Sequence, residues 1–384
     1  MKNSTMKNIL IITNLYPTEY APFRASFNKS QFSRLSEFYK IDLYIPVKIK
    51  EFFSLVYKNR DKASNSPRTY PILFLYIPAV MRFLQPAFLF MPFLIRTLSF
   101  RKKAYTCIIG SWAFPDGIVA TLLGKLTGRP VIIKVHGSDI NYFFKDAIRR
   151  KLILWSMHRA DAIICVSQAL KNILSDASIP QSKLHVIYNG VDKDIFNFKY
   201  DAPDRNTKKI LFIGNIISTK GVFELYRAFT SLSQSKDIEL CFIGDGDCKQ
   251  TLINNSLDDG LEDKITFTGR LTQKEISQHI QESNLVCLPS YNEGVPNVLL
   301  EAKSCGRPVV ATNVGGIPEI VSSDDGILVP PQDTESLAAA IAKCLDTDWN
   351  YQMISQQASQ YSWDKNISAI DSLINTISSE PAFK

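Results

Sequence analysis

The residues best suited to chemistry lie between 289 and 301, where the sequence PSYNEGVPNVLLE places two carboxylates eight residues apart. Glu293 follows an apolar run and lies in a turn that contains Gly294, whereas Glu301 falls in the segment after Pro296. Proline is well tolerated in the first turn of a helix, so we predict that a helix begins at this point. Glu293 would then lie in the loop and Glu301 on the helix.

The start of this predicted helix is suited to binding an anion such as a diphosphate. The first N–H groups of a helix have no partner within the helix, and the helix dipole adds positive potential there. The amides concerned are those of Asn297, Val298 and Leu299. Spacing alone leaves open an alternative without function, in which Glu293 is a solvated turn residue and Glu301 is a charge on the helix surface.

Apolar strands that alternate with helical segments must position these groups. In the first half we predict strands in KNILIITN, KIDLYIPV, YTCIIGS, PVIIKVHG, DAIICVS and KLHVIYN. The second half repeats the pattern in KKILFIGN, IELCFIGDG, KITFTGR, NLVCLPS, RPVVATN and GILVPP. Such runs are typical of parallel sheets covered on both faces. We therefore predict an α/β protein with two Rossmann-like domains, whose ligand-binding loops would face a shared cleft.

The predicted domain boundaries follow from composition. A polar stretch near residues 198–208 suits a linker, so residues 1–200 would form one domain and 201–355 the second. Residues 356–384 carry apolar positions at a helical spacing. They would form a C-terminal helix that crosses back to the first domain.

Charge is divided unequally between the two halves of the 384-residue chain. Residues 1–200 contain 29 basic and 12 acidic residues, whereas residues 201–384 contain 15 and 25. The basic half suggests an anionic partner, which could be a phosphate-bearing substrate or a membrane surface. A nucleic acid fits poorly, because no recognised nucleic-acid motif accompanies the charge.

The seven cysteines are scattered, and most lie in apolar runs without any C-x-x-C pair. This usage is typical of buried free thiols in a reducing compartment. The N-terminal apolar run ends at Thr13 and Asn14, and no small-residue cleavage site follows it. We therefore predict a cytoplasmic protein without a signal peptide.

The most apolar window covers residues 71–103, which Arg82, Arg96 and three prolines interrupt. It is too interrupted for a membrane-crossing helix, which needs about 20 consecutive apolar residues. Two interpretations stay open. The segment could form a strand, a loop and a helix packed within the domain, which the prolines favour. It could also lie on the inner face of the cell membrane, with its cations toward anionic headgroups.

The run EGVPNVLLEAKSCGRPVVATNVGGIPEIV closely resembles the glutamate-x7-glutamate region of the family-four glycosyltransferases, which are retaining enzymes of the GT-B fold. Other segments resemble the family in the same order along the chain, namely SWAFPDGIVA, KVHGSDI, ICVSQAL, VIYNGVD, FIGNIISTKG, FIGDGDCKQTL and FTGR. Together they span residues 111–330. The resemblance implies GT-B architecture and glycosyltransferase activity.

The resemblance also implies roles for residues in the matching motifs. Glu293 would face the donor sugar, Glu301 would bind the nucleotide ribose, and Lys220 would pair with the donor diphosphate. His136 would lie beside the transferred sugar. Asp139 would either orient His136 or cap the next helix.

Two positions depart from the family pattern. In FIGNIISTKG, Asn215 follows Gly214 and occupies a position at which many family members have arginine. A second cation at the diphosphate is therefore missing. Near the start of the chain, Ala25 replaces a common glycine, which leaves Arg24 as a candidate contact to an anionic acceptor or to the diphosphate. Arg270 is expected near the nucleotide base.

Asp245-Gly246-Asp247 matches the metal-binding D-x-D pattern of a different glycosyltransferase fold, yet it lies where a turn and a helix cap are expected. We therefore predict no metal requirement and no cofactor, with the nucleotide sugar as co-substrate. The predicted partners are this donor and a saccharide or polyprenyl-linked acceptor for surface polysaccharide or glycolipid synthesis. An epimerase or phosphorylase, or a non-catalytic sugar- or lipid-head-binding protein, would be the alternatives.

Overall fold

A computed structural model describes residues 6–58, 67–74, 79–199 and 206–379 of the chain. It separates into two compact units. Unit 1 comprises Met1–Tyr188 with Trp363–Lys384, and unit 2 comprises Asn189–Ser362.

Unit 1 is built on a seven-stranded parallel sheet in the order β3-β2-β1-β4-β5-β6-β7. Its strands are β1 (Asn8–Ile12), β2 (Lys40–Val47), β3 (Arg68–Leu73), β4 (Cys107–Ser111), β5 (Val131–Val135), β6 (Ala162–Cys165) and β7 (Leu184–Val186). The connecting helices are α1 (Ser26–Leu35), α2 (Ile49–Lys58), α3 (Gln85–Lys103), α4 (Ile118–Thr127), α5 (Ser138–Phe143), α6 (Ala147–Arg159) and α7 (Gln168–Asp176). β3 contains Pro71 and forms an edge, which is where a strand tolerates proline.

Strands of this sheet are apolar on both faces because helices cover both. In β1, Leu10 and Ile12 point into one apolar cluster, whereas Ile9 and Ile11 point into the other. Alternate residues of a strand lie on opposite faces, so each continuous apolar run fills two cores.

Unit 2 repeats this plan with a six-stranded parallel sheet in the order β10-β9-β8-β11-β12-β13. Its strands are β8 (Lys208–Ile213), β9 (Ile238–Ile243), β10 (Ile265–Gly269), β11 (Leu285–Leu288), β12 (Val309–Thr312) and β13 (Gly326–Val329). Its helices are α8 (Val222–Leu232), α9 (Lys249–Asp258), α10 (Gln273–Gln281), α11 (Asn297–Ser304), α12 (Thr334–Asp346) and α13 (Tyr351–Ala358). The predicted α/β class and all twelve predicted strands are confirmed.

The last helix, α14 (Trp363–Ser379), belongs to unit 1 although it follows unit 2 in the chain. It packs an apolar face into the cluster on one side of the unit 1 sheet, through Ile367, Ile370, Leu373, Ile374 and Ile377. Two hydrogen bonds also hold α14 against unit 1. Gln31 donates to Asn366 at 2.7 Å, and Asn366 donates to the Tyr188 carbonyl at 2.6 Å.

The unit boundaries differ from the domain limits predicted at 200/201 and 355/356. Residues after Tyr188 already belong to unit 2, because Ser277 bonds the Ile195 carbonyl at 2.6 Å and Phe196 is buried. The stretch up to Ser362 also belongs there, since the Val191 amide bonds the Tyr361 carbonyl at 2.9 Å. The centre of the predicted linker, residues 200–205, lies outside the described residues.

The apolar 71–103 window contains the end of β3, a 3-10 turn at Ala79–Leu84 and the long helix α3. Residues 75–78 lie outside the described part of the chain. Among the described residues, no helix is both long enough and apolar enough to cross a bilayer.

Candidate functional site

The predicted donor-binding residues of unit 2 follow the carboxyl ends of its strands. Gly214 and Asn215 come directly after β8, Arg270 after β10, and Glu293 in the loop after β11. Ligands of open parallel sheets bind beyond this edge. The edge of the unit 2 sheet therefore carries the candidate site.

Lys220 and Glu293 form an ion pair at this edge. Lys220 ends a 3-10 turn at Ser218–Lys220, and its Nζ contacts Oε1 of Glu293. The two residues are 73 positions apart in sequence. Their side chains are 24% and 12% exposed, so the pair is partly shielded from water yet open to a ligand. The sequence motifs predict that both residues belong to the site, but no local pattern predicts that they touch.

Backbone contacts hold the two loops of this pair together. The amide of Tyr291 donates to the carbonyl of Thr219 at 2.9 Å. A glycine makes each close approach possible, because a Cβ at Gly221 would lie 2.0 Å from the Pro289 carbonyl oxygen and one at Gly315 would lie 1.9 Å from that of Glu293. Both glycines also have positive φ, at 67° and 55°.

Helix α11 begins at Asn297, as the sequence predicted, with Pro296 as its N-cap. The amide of Leu299 is already used, because it donates to the Pro296 carbonyl at 3.2 Å. For the amides of Asn297 and Val298, no acceptor occurs among the described residues. These two N–H groups, rather than three, remain for an anion.

Glu301 lies on α11 one turn further on and is partly buried. Burial raises its carboxyl pKa from 4.5 to about 7. Within the described part of the chain, no side chain or amide donates to its carboxylate. A ligand hydroxyl that donates a hydrogen bond would supply the missing partner.

Asn215 and Arg270 are exposed, and neither contacts the Lys220–Glu293 pair in the described structure. Asp245 and Asp247 are exposed as well, and Asp245 accepts a hydrogen bond from the Gly246 amide at 3.0 Å, as in a turn. Across the described ranges, no group of three or more histidine, cysteine or acidic side chains is placed to hold a metal ion.

Unit 1 has its own polar group at the carboxyl ends of β4 and β5. His136 follows β5, and its Nε2 lies 3.1 Å from Oγ of Ser111. The rings of Phe27 and Trp112 lie 5.3 and 5.9 Å from the imidazole. Burial, and then the nearby Lys134 cation, lower the pKa of His136 well below 6.5, so its ring is neutral at pH 7.

Asp139 binds backbone rather than the His136 ring. Its carboxylate accepts hydrogen bonds from the amides of Ala113, His136 and Gly137 at 2.9–3.0 Å and from that of Ile140 at 3.2 Å. Asp139 lies in the first turn of α5, whose N-cap is Gly137 and has no side-chain cap hydrogen bond, so these contacts match neither of the two roles left open from sequence. Asp139 thereby fixes the loop that presents His136.

Asp116 is a buried carboxyl in the SWAFPDGIVA motif, and it was not among the site residues predicted from sequence. It accepts a hydrogen bond from the Asn14 amide at 2.7 Å, and Arg24 in turn contacts the Asn14 side chain at 3.4 Å. Burial raises the pKa of Asp116 to about 8. It anchors the loop after β1, where Arg24 lies.

Ala25, the departure from the family pattern, has a left-handed backbone with φ 47° and ψ 51° and immediately precedes α1. This conformation favours glycine. The backbone therefore keeps the turn that glycine commonly makes, at a small energetic cost.

Two family profiles match consecutive parts of the chain. The profile described as "Glyco_transf_4, Glycosyltransferase Family 4" matches residues 54–195, and the one described as "Glycosyl transferases group 1" matches residues 193–361. The second match contains Lys220, Glu293 and α11.

Individual relatives are distant but extend over most of the chain. A Bacillus subtilis protein named as a glycosyltransferase of teichuronic acid biosynthesis, TuaC, is 25% identical over 87% of this chain and 88% of its own length. The structure of sucrose-phosphate synthase from Thermosynechococcus elongatus has a TM-score of 0.78 at 20% identity, covering 97% of this chain and 99% of that one. HepE from Anabaena, solved in complex with UDP-glucose, has a TM-score of 0.74 at 19% identity, covering 96% and 99%.

Proposed function

Because the chain belongs to the family-4 glycosyltransferases of the GT-B fold, we propose that it transfers a sugar from a nucleotide-diphosphate sugar to a hydroxyl group of a saccharide or lipid-linked saccharide. The observation that carries the proposal is the Lys220–Glu293 pair in the loops after β8 and β11, with Glu293 four residues before Asn297, the first residue of α11. The UDP-glucose complex of HepE, a protein of the same fold, supports a nucleotide-sugar donor.

Unit 2 would bind the donor. The Lys220 ammonium and the amides of Asn297 and Val298 would bind the diphosphate, and they would stabilise the charge that develops as it leaves. Glu301 would accept hydrogen bonds from the ribose hydroxyls, and these bonds are stronger to its ionised form. Arg270 would lie near the base, and Asn215 would add a neutral amide donor.

We assign Glu293 to positioning the donor sugar. Transfer with retention would follow if the acceptor hydroxyl attacks from the face that the diphosphate leaves. On donor binding, the Lys220 ammonium would leave Glu293 for the diphosphate, because the diphosphate carries more negative charge than the carboxylate. The carboxylate would in turn become available to the sugar hydroxyls.

Unit 1 would bind the acceptor. The neutral His136 ring can exchange hydrogen bonds with a sugar hydroxyl, since it carries one donor and one acceptor nitrogen. Arg24 would meet a negative charge on the acceptor. The name of TuaC supports a role in surface polysaccharide synthesis, and a polyprenyl-linked acceptor would place the reaction at the cytoplasmic face of the membrane.

The test is a turnover panel of labelled nucleotide sugars, with products separated by mass. We expect one donor to give a labelled saccharide, with unchanged rates in the presence of EDTA. Release of an isomerised sugar would identify an epimerase, and a sugar phosphate formed only with inorganic phosphate would identify a phosphorylase. Binding without any turnover would identify a non-catalytic protein, and each of these three results would overturn the proposal.

A further inference from the structure

Helix α3 exposes a wide apolar face to solvent. Its exposed large apolar side chains are Ile95 (88%), Leu98 (73%), Met91 (60%), Leu94 (50%) and Phe88 (37%). At about 100° per residue, these positions fall within one third of the helix circumference. We call this set the α3 outer face.

The α3 outer face is not needed for the core of unit 1. Leu89, Phe93 and Phe100, which are 0–3% exposed, bury the opposite side of the same helix in the main apolar cluster. A helix on the surface of a globular domain normally has polar residues on its outward side. Contiguous apolar surface of this kind marks an interaction site.

The stretch of sequence that contains α3 carries charge of a single sign. Between residues 62 and 115 the sequence contains seven basic residues and no acidic one. Three of them, Arg101, Lys102 and Lys103, form the last turn of α3. Arg101 bonds the Leu126 carbonyl at 2.7 Å, and Lys103 pairs with Asp42 while staying 43% exposed. Lys102 is also exposed.

We propose that the α3 outer face docks unit 1 on a lipid bilayer that contains anionic lipids. The helix would lie in the plane of the membrane, with Ile95 and Leu98 among the outer acyl groups and the cationic last turn at the headgroups. A second copy of the chain fits less well, because its α3 carries cations but no acidic residue that could complement them. This inference goes beyond the proposed function and does not rest on it.

The experiment is co-sedimentation of the full chain with vesicles of phosphatidylcholine alone or of phosphatidylcholine mixed with phosphatidylglycerol. The test variant is the double substitution Ile95→Ser with Leu98→Ser. Its matched control is Leu257→Ser, because Leu257 is 57% exposed on helix α9 beside Asp258 and Asp259. A second variant, Lys102→Glu, tests charge without removing apolar surface.

We expect the wild-type chain to bind the mixed vesicles, and added salt to weaken this binding by screening. The double variant should lose about tenfold or more in vesicle affinity, because two apolar side chains no longer enter the interface. Lys102→Glu should also weaken binding, and Leu257→Ser should not.

The proposal fails if wild-type chain does not bind the mixed vesicles, or if the double variant binds them as wild type does. It also fails if analytical ultracentrifugation shows that the wild-type chain is a dimer and the double variant a monomer, because the α3 outer face would then join two copies of the chain. If circular dichroism shows that the double variant does not fold, vesicle binding by the Lys102→Glu variant becomes the test. Unchanged binding in that variant would then overturn the proposal.

Discussion

At the scale of single residues, the Lys220–Glu293 pair links the two groups that the proposed chemistry needs most. In the ligand-free protein each neutralises the other, so neither charge is buried alone. A diphosphate must compete with Glu293 for the lysine. Substitution of Glu293 and substitution of Lys220 should therefore change donor affinity in opposite directions.

We predict that Glu293→Gln lowers kcat by about 100-fold or more, because the sugar loses a positioning carboxylate. Donor Kd should stay equal or fall, since Lys220 is then free for the diphosphate. Lys220→Met should instead raise donor Kd by about tenfold or more, through loss of a charged hydrogen bond. Initial rates and calorimetry measure both effects.

Lys236→Met is the matched control for Lys220→Met, because Lys236 is 30% exposed and paired with Asp346 in the same unit. It should leave donor Kd unchanged. Equal donor Kd values for the two lysine variants would contradict the assignment of Lys220 to the diphosphate.

Glu301 provides a pH prediction. Its folded pKa of about 7 lies above the 4.5 of an unfolded chain, so between these values the folded state holds a proton that the unfolded state has lost. The free energy of unfolding contributed by this group therefore falls as pH rises from 4.5 to 7. Donor binding should tighten over the upper part of the same window as the carboxylate ionises.

Glu301→Gln should remove both effects. Urea unfolding at pH 5 and pH 8 should show that the variant loses less stability than wild type between these pH values, by roughly 2 kcal/mol. Parallel pH profiles for the two proteins, in stability and in donor Kd, would show that Glu301 does not titrate as stated.

At the scale of elements, turns between strands and helices position the site. Gly221 and Gly315 allow two loops of unit 2 to touch. In unit 1, the Asp139 carboxylate performs a similar task by binding four amides. The turn before α1 is the exception, because Ala25 adopts a glycine conformation with a Cβ present.

We predict that Ala25→Gly raises the free energy of unfolding by about 0.5–1 kcal/mol, because relief of the left-handed strain exceeds the entropy lost by glycine. Ala169→Gly, within helix α7, should lower it by about 1 kcal/mol. Urea midpoints measure both. A destabilised Ala25→Gly variant would mean that the turn is not strained.

At the scale of the whole molecule, the chain builds unit 1, then all of unit 2, and returns to finish unit 1 with α14. The last helix, α14, is therefore part of an apolar cluster of unit 1. Ile374 is fully buried there, whereas Ser372 on the same helix is exposed. The stability of unit 1 therefore depends on residues near the end of the chain.

Ile374→Ala should destabilise unit 1 by about 2–5 kcal/mol, through lost burial and a residual cavity. Hydrogen exchange followed by mass spectrometry should show faster exchange in the unit 1 strands and little change in those of unit 2. Ser372→Ala is the control. Equal acceleration in both sheets would show that the two units unfold as one.

The sequence by itself determined the features that arise from local pattern. Apolar runs predicted twelve strands, a helical spacing predicted α14, and Pro296 predicted the start of α11. Motifs that resemble the family-four enzymes predicted Glu293, Glu301, Lys220 and His136 as site residues. Such patterns are readable because a strand or helix responds mainly to neighbours within a few residues.

Tertiary structure alone decided which of these groups meet. The Lys220–Glu293 pair joins positions 73 residues apart, and no local pattern encodes a contact of that range. The backbone role of Asp139 depends on the path of the loop that carries Ala113. The two faces of α3 likewise became distinct only when one packed into a core, since an apolar sequence does not state which side chains will be buried.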